Sequence, residues 1–264
     1  MSAKLSNTDL GLRVVSAVVM LAIFLTACWL GGLPFLLISI GLSILLFYEW
    51  QDLVRQTPFD GTEAVLTMGF ALLLISSLLD VLLLGLIGFI ALGLVLELVS
   101  SGEEKSDVRW IGLEALYCAI PAITFPLIRE QGGLALLMFM FVVVWITDIA
   151  AYFVGRTFGG PKLLPAVSPK KTWSGALGGL GFSLIFAIIV GGIWGDVSTL
   201  SLFFAAAVLS VISQAGDLFE SWVKRLFGTK DSSNLIPGHG GFLDRLDGML
   251  AAAVPVALIV ALSQ

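Results

Sequence analysis

Charge is what this chain of 264 residues has least of: 12% of it is Asp, Glu, Lys or Arg, where an ordinary soluble domain carries about a quarter. With 58% hydrophobic residues and a mean hydropathy of +1.03, that shortage excludes a soluble globular protein and indicates an integral membrane protein. Cysteine is scarce too. The two present, Cys28 and Cys118, both fall in apolar runs, which excludes a disulfide framework and zinc-ligand spacing and leaves them as small buried hydrophobes. The single histidine, His239, excludes a histidine-built metal centre. There is no convincing internal repeat and no low-complexity linker. The tetrapeptide L-T-A-C at residues 25–28 has the form of a lipoprotein cleavage site, but Trp29, Leu30 and a further apolar run follow at once. A lipidated chain turns polar there, so the segment reads as part of a first membrane helix and no cleavable signal is expected.

What is present is a succession of apolar runs, nearly end to end. They predict an all-α polytopic bundle of about nine transmembrane helices with cytoplasmic polar loops, each span near the roughly 20 residues that cross a bilayer. The spans lie near 13–31, 33–48, 64–79, 81–97, 110–128, 133–155, 174–194, 198–215 and 246–263. Residues 1–264 are expected to form one membrane-embedded domain, with N-terminal helices over about 13–128 and the chemistry-bearing region over about 133–264. Pro34, Gly61 and Gly102 sit in or beside the connections, while Pro121 and Pro126 fall inside the fifth span and predict a kink.

The net charge of −5 matters less than its distribution. With nine spans and a cytoplasmic 156–173 loop, Arg129 alone among the 14 Lys and Arg residues faces the other side. That is a strong positive-inside bias, and one missed span would scramble it. The polar loops, and the N-terminus, therefore read as cytoplasmic, where nucleotides are.

The charges concentrate between Asp217 and Asp247. Asp217, Ser221 and Lys224 are spaced i, i+4, i+7 on one helical face, and Glu220 and Lys224 form an i, i+4 pair. The plain alternative is an amphipathic helix lying at the membrane interface with a solvated polar face. It suits Glu220 and Lys224 but not Asp217, which follows Gln214-Ala215-Gly216 at the end of an apolar run, where acids are costly and usually functional. The turn Pro237-Gly238-His239-Gly240-Gly241 offers backbone N–H groups for an anion and leads into Asp244-Arg245-Leu246-Asp247. Asp244 and Asp247, at i and i+3, open the last span; acids favour helix N-termini, but two acids and an arginine at a membrane boundary after this turn are more than a cap requires. His239 fits a general acid or base, a phosphate donor or a bystander.

Upstream, Asp148 lies inside the sixth span with Tyr152 one turn later. An aspartate in an apolar run is a functional candidate, or else a buried acid bonded to neighbouring helices. Ser168-Pro169-Lys170-Lys171-Thr172-Trp173 follows, whose lysines suit phosphates or anionic headgroups, or serve as ordinary topogenic charge. Glu114 is a weaker candidate, and Glu49-Trp50 reads as an interfacial anchor. Carboxylates for divalent cations beside Lys, Arg and Gly for phosphates point to metal-dependent phosphate chemistry at a membrane surface.

These residues resemble the phosphatidate cytidylyltransferase (CDP-diacylglycerol synthase) family. Its signature, S-x-φ-K-R-x4-K-D-x-small-x2-φ-P-x-H-G-G-φ-x-D-R-φ-D, is met without a gap by Ser221, Lys224, Arg225, Lys230, Asp231, Ser233, Pro237, His239, Gly240, Gly241, Asp244, Arg245 and Asp247. Gly216-Asp217, the D-x-x-A-Y at Asp148–Tyr152 and S-P-K-K-T-W at 168–173 also look like family motifs, with Arg13 and Glu49-Trp50 as weaker likenesses. One departure stands out: Ser174 stands where the family usually has Glu.

The resemblance implies cytidylyl transfer from CTP to phosphatidate, giving CDP-diacylglycerol and pyrophosphate. It implies Asp217 and Asp244 as ligands of Mg²⁺, alone or with a second cation, with Asp148 and Asp247 in support. Lys170, Lys171, Lys224, Arg225 and Arg245 would divide the triphosphate and the lipid phosphate. Ser221, Lys230, His239, Gly240 and Gly241 complete the expected site. CTP, phosphatidate and membrane lipids are the expected partners, a homodimer is kept open, and no nucleic acid is expected. A bacterial inner membrane, with the site facing the cytoplasm, is the expected location. Two rivals are a CTP-dependent lipid-alcohol kinase, which would transfer the γ-phosphate, and a non-enzymatic transporter using Asp148, Asp217 and Glu114 as an ion path.

Overall fold

The computed structural model describes residues 7–55, 61–78, 87, 88, 91, 92, 95, 108–195, 197–233, 235 and 240–263. They form helices α1 (Asn7–Leu30), α2 (Gly32–Arg55), α3 (Gly61–Leu78), α4 (Val108–Leu127) and α5 (Gly133–Phe158), strands β1 (Lys162–Leu164) and β2 (Ser168–Thr172), then α6 (Trp173–Trp194), α7 (Thr199–Leu226) and α8 (Leu243–Leu262). Helices dominate because a lipid interior offers no water, so each apolar segment has to satisfy its backbone polar groups internally. The predicted fourth span, 81–97, lies mostly outside the described residues; Ile87, Gly88, Ala91, Leu92 and Val95 within it are helical.

Five stretches of the described chain are long and apolar enough to cross a membrane: Gly32–Val54, Leu113–Phe158, Trp173–Trp194, Thr199–Leu226 and Leu243–Leu262. Val15–Leu30 and Val65–Ile75 are shorter apolar helices. The protein is thus an integral membrane protein built of α-helices, although these stretches alone do not amount to about nine spans. The stretch from Leu113 is 46 residues long, about twice one crossing. It passes through a π turn at Ile128–Gly132 and breaks at Gly133, where φ is +81°. The L-T-A-C tetrapeptide lies wholly within α1, and Cys28 is buried.

The chain divides into two compact units, residues 1–126 with 231–243, and residues 127–230 with 244–264. In the first, Phe24 of α1 meets Phe35 and Phe125 at ring-centroid distances of 6.1 and 6.5 Å. Phe47 of α2 stacks on Phe70 of α3 at 4.3 Å, and Trp50 leans on Tyr117 of α4 at 5.4 Å. The Ala122 amide donates to Ser43 Oγ at 3.0 Å, next to Pro121, which removes a helical donor.

In the second unit α5, α6 and α7 pack on one another through small residues. A Cβ placed on Gly175 would stand 2.7 Å from the Ala151 carbonyl oxygen, and one on Gly179 2.7 Å from that of Thr147, so only glycine lets α6 lie this close to α5. Thr147 Oγ1 meets Ser183 Oγ at 2.7 Å and donates to Ser210 Oγ at 3.0 Å, joining three helices by hydroxyls inside an apolar core.

Two details differ from the sequence reading. The 156–173 segment is not a plain loop: α5 runs on to Phe158, and β1 and β2 pair antiparallel, with Lys162 opposite Thr172 and Leu164 opposite Ser168. The eighth span does not end near residue 215, because α7 continues unbroken to Leu226. An interfacial helix with a solvated polar face is thereby replaced by the end of a long spanning helix, in which Glu220 is 1% exposed.

Gly179→Val forces a branched side chain against α5, which overpacks a tight contact and costs roughly 1–3 kcal/mol. The expected result is a lower melting temperature in detergent than for Gly192→Val, a position with nothing within 4 Å of an added Cβ. Equal melting of the two variants would remove the close approach as a determinant of the fold.

Candidate functional site

The second unit contains a cavity of about 480 Å³, lined among others by Asp148, Tyr152, Arg156, Lys162, Lys170, Lys171, Gln214 and Asp217. That volume falls within the roughly 300–1,000 Å³ typical of small-molecule sites. Three elements supply the polar groups. Asp148, Tyr152 and Arg156 stand at i, i+4 and i+8 along α5, one face of a helix. Gln214 and Asp217 are three apart on α7. Lys170 and Lys171 come from β2.

Local structure holds the lysines in place. The Trp173 amide donates to the Pro161 carbonyl at 3.0 Å, closing the hairpin. Thr172 then N-caps α6, its hydroxyl accepting from the Gly175 amide at 3.1 Å, the usual service of threonine at that position. Ser174 donates to the Gly159 carbonyl and lies 3.0 Å from Thr172 Oγ1. The hairpin therefore leads directly into α6, with Lys170 and Lys171 on its last strand.

Within the cavity Lys171 is ion-paired with Asp217, and both side chains are 28% exposed. Ser221 donates to Asp217 Oδ1 at 3.4 Å, as its one-turn spacing anticipates. Arg156 Nη1 donates to Tyr152 Oη at 2.9 Å, on the open side of α5. Gln214 Nε2 reaches the Ala176 carbonyl at 3.4 Å.

A second charge cluster ties α7 to α8. Lys224 Nζ lies 2.6 Å from Glu220 Oε2 and 2.5 Å from Asp244 Oδ1. Exposure of the three side chains is 11%, 1% and 13%, so this ammonium is enclosed by its two carboxylates. Asp247 accepts from the Gly248 amide at 2.7 Å, and its charge faces those of Asp217, Glu220 and Asp148. Asp244 and Asp247, although i, i+3, thus take different partners. A Cβ on Gly216 would come 2.8 Å from the Asp247 carbonyl oxygen, so glycine there lets α7 approach the start of α8. Arg225 donates to the Val167 carbonyl at 3.4 Å and to the Thr229 carbonyl at 2.7 Å, tying the hairpin and the end of α7. Lys230 and Arg245 are exposed.

Asp148, Lys170, Lys171 and Asp217 are accordingly brought together in one cavity. Lys224, Arg225, Asp244 and Asp247 stand in the contacts just described and do not line it. Gly240 and Gly241 belong to the other unit, where Gly241 lies against the Glu49 carboxylate. His239 lies outside the described residues. The sequence reading did not single out Arg156, Lys162 or Gln214. The helical spacing of Arg156 from Asp148, and of Gln214 from Asp217, was a usable signal.

Among the described residues no three Asp, Glu, His or Cys side chains form a group able to hold a metal ion by themselves. Two carboxylates in one cavity are nonetheless a donor set that suits Mg²⁺, which is commonly bound by one or two carboxylates with substrate phosphates and water completing its shell.

The family model described as the cytidylyltransferase family matches residues 11–263. The chain is 42% identical to a phosphatidate cytidylyltransferase of Brucella suis biovar 1, over 97% of this chain and 94% of the relative. It is 36% identical to one from Haemophilus influenzae, over 92% and 95% of the two chains, and 32% identical to one from Staphylococcus epidermidis, over 90% and 94%.

Replacing Lys224 by Met strands two enclosed carboxylates. Breaking a buried pair in this way costs about 3–5 kcal/mol, so Lys224→Met is expected to lower stability far more than Lys171→Met, whose partners are more open. Unfolding of the detergent-solubilised variants measures the difference. Equal stabilities would mean that Lys224 is not the fastener between α7 and α8.

Proposed function

Because the chain belongs to the cytidylyltransferase family, we propose that it transfers the cytidylyl group of CTP to phosphatidate, giving CDP-diacylglycerol and pyrophosphate for phospholipid synthesis. The observation that carries this reading is the cavity in which two aspartates meet Arg156, Lys162, Lys170 and Lys171. A phosphate oxygen of phosphatidate attacks the α-phosphorus of CTP. A new P–O bond forms, the bond from the α-phosphorus to the β-bridging oxygen breaks, and pyrophosphate leaves with the electron pair. The nucleophile is already an anion and needs little help from a base, so the protein's work is positioning and charge neutralisation.

In this reading Lys170, Lys171, Arg156 and Lys162 hold phosphate oxygens. Lys171 would be available for that role were Asp217 to hold a cation in its place. Asp217 and Asp148 would hold Mg²⁺, with Asp244 and Asp247 near the start of α8 in support. The ion supplies charge neutralisation on the triphosphate. Ser221 orients the Asp217 carboxylate. Arg225, Lys230 and Arg245 would serve the remaining phosphate charge. Lys224 acts by holding Asp244, and His239 is kept as a phosphate donor.

Residues 1–264 act as one catalytic domain of about nine spans, with the chemistry in 133–264. The one-sided distribution of Lys and Arg supports a cytoplasmic site and N-terminus, and the bacterial relatives support an inner-membrane location.

The test is cytidylyl transfer by the purified protein, with α-labelled CTP and phosphatidate in mixed micelles, with Mg²⁺ or with chelator. Labelled CDP-diacylglycerol and pyrophosphate are expected with Mg²⁺ alone, and Asp217→Asn should lower kcat by about 10²-fold or more. In a parallel assay with γ-labelled CTP and diacylglycerol, a labelled phosphorylated lipid, with no transfer to phosphatidate, would replace this reading with the kinase. Absence of CTP binding in a folded sample would replace it with the transporter.

A further inference from the structure

Glu49 lies on α2 with no exposed surface (0%), and its carboxylate takes four hydrogen bonds. Oε1 accepts from Ser233 Oγ at 2.6 Å and from the Phe242 amide at 2.8 Å. Oε2 accepts from the Leu243 amide at 2.7 Å and from Ser232 Oγ at 3.3 Å. Each oxygen thus receives one hydroxyl from the chain leaving the signature's basic half and one amide from the chain entering its acidic half. A carboxylate, with acceptors only, suits such a set of donors, and an amide does not.

The backbone has been shaped to this contact. A Cβ on Gly241 would stand 2.7 and 2.6 Å from the two carboxylate oxygens and would overlap Ser232 Oγ. The second signature glycine is therefore required where the chain crosses the carboxylate. Helix α8 needs the same group: its first residue is Leu243, and neither Gly241 nor Phe242 has a side chain able to cap it. The Phe242 and Leu243 amides at its start are bonded instead by a residue 193 and 194 positions away in sequence, much as a local N-cap side chain meets the first amides of a helix.

We propose that Glu49 is a positioning residue of the transfer reaction: by gathering Ser232, Ser233, Phe242 and Leu243 onto α2, it fixes both ends of the signature loop and the point at which α8 begins, one residue before Asp244. This rests on the cytidylyl-transfer reading for its kinetic consequence, but not for the clamp itself. Glu49 touches no reacting atom. It acts through the backbone it holds on either side of the signature loop and at the first residue of α8.

The experiment pairs kinetics with amide hydrogen exchange on the full chain in detergent, for wild type, Glu49→Gln, Glu49→Asp and Gly241→Ala. Glu49→Gln should lower kcat by about 10²-fold, the scale of a small misplacement. The KM values for CTP and phosphatidate should stay within about threefold, the signature of an interaction that matters in the transition state. Exchange should rise in peptides covering 240–246 and stay unchanged in those from α5 and α6. Glu49→Asp should recover part of the activity, and Gly241→Ala, which presses on the carboxylate without removing it, should reproduce the Gln phenotype. Wild-type kcat in Glu49→Gln, or exchange raised throughout with activity falling in proportion to the unfolded fraction, overturns the proposal. If the wild-type chain transfers no cytidylyl group, the functional reading fails, and the exchange result alone decides whether Glu49 is the clamp.

Discussion

A charge in an apolar surrounding has to be met by an opposite charge held at contact, and the polar half of this protein is organised around that constraint. The clearest case is the Lys224 ammonium between Glu220 and Asp244. Charged groups taken out of water carry a desolvation cost of several kcal/mol each, which mutual attraction offsets only in good geometry. With distances of 2.6 and 2.5 Å, the cluster binds the last turns of α7 to the first turn of α8. Asp244 is held where it is because Lys224 holds it, and Lys224 is tolerable there because Glu220 is beside it.

The pair between Lys171 and Asp217 obeys the same rule to the opposite end. Both of its side chains are about twice as exposed as Lys224 and Asp244, and both open onto the cavity. Water reaches them, so the attraction is weaker and each partner is exchangeable. A phosphate can take the lysine while a cation takes the aspartate, with neither side chain left unpaired. Enclosure makes one ion cluster a fastener, and access leaves the other able to exchange partners. The difference lies in burial and not in residue type.

That is also why the sequence carried one part of the site and not another. The apolar runs at 133–155 and 174–194 foretold α5 and α6 closely, because lipid forces any such segment into a helix. The end of α7 was misjudged because Glu220 and Lys224 look like the charges of a membrane surface. Their pairing with Asp244 is a tertiary fact. The β1–β2 hairpin was missed because three- and five-residue strands holding Lys and Pro carry no period to read. Asp148, Lys170, Lys171 and Asp217 were legible as costly or clustered charges. Glu49 was not: at the end of an apolar run beside Trp50 it reads as an anchor, and its four donors lie more than 180 positions away.

Ser174 is set in the first turn of α6. Its hydroxyl donates to the Gly159 carbonyl at the junction of hairpin and α6, which a carboxylate, having no proton to give, would not do. The position lies between Thr172 and Gly175, both of which line the cavity. With serine there, Arg156, Lys162, Lys170 and Lys171 face only Asp148 and Asp217 across that space. The balance favours cations, which suits the binding of phosphate groups. The neutral hydrogen bond of Ser174 keeps the hairpin joined to the helix it feeds.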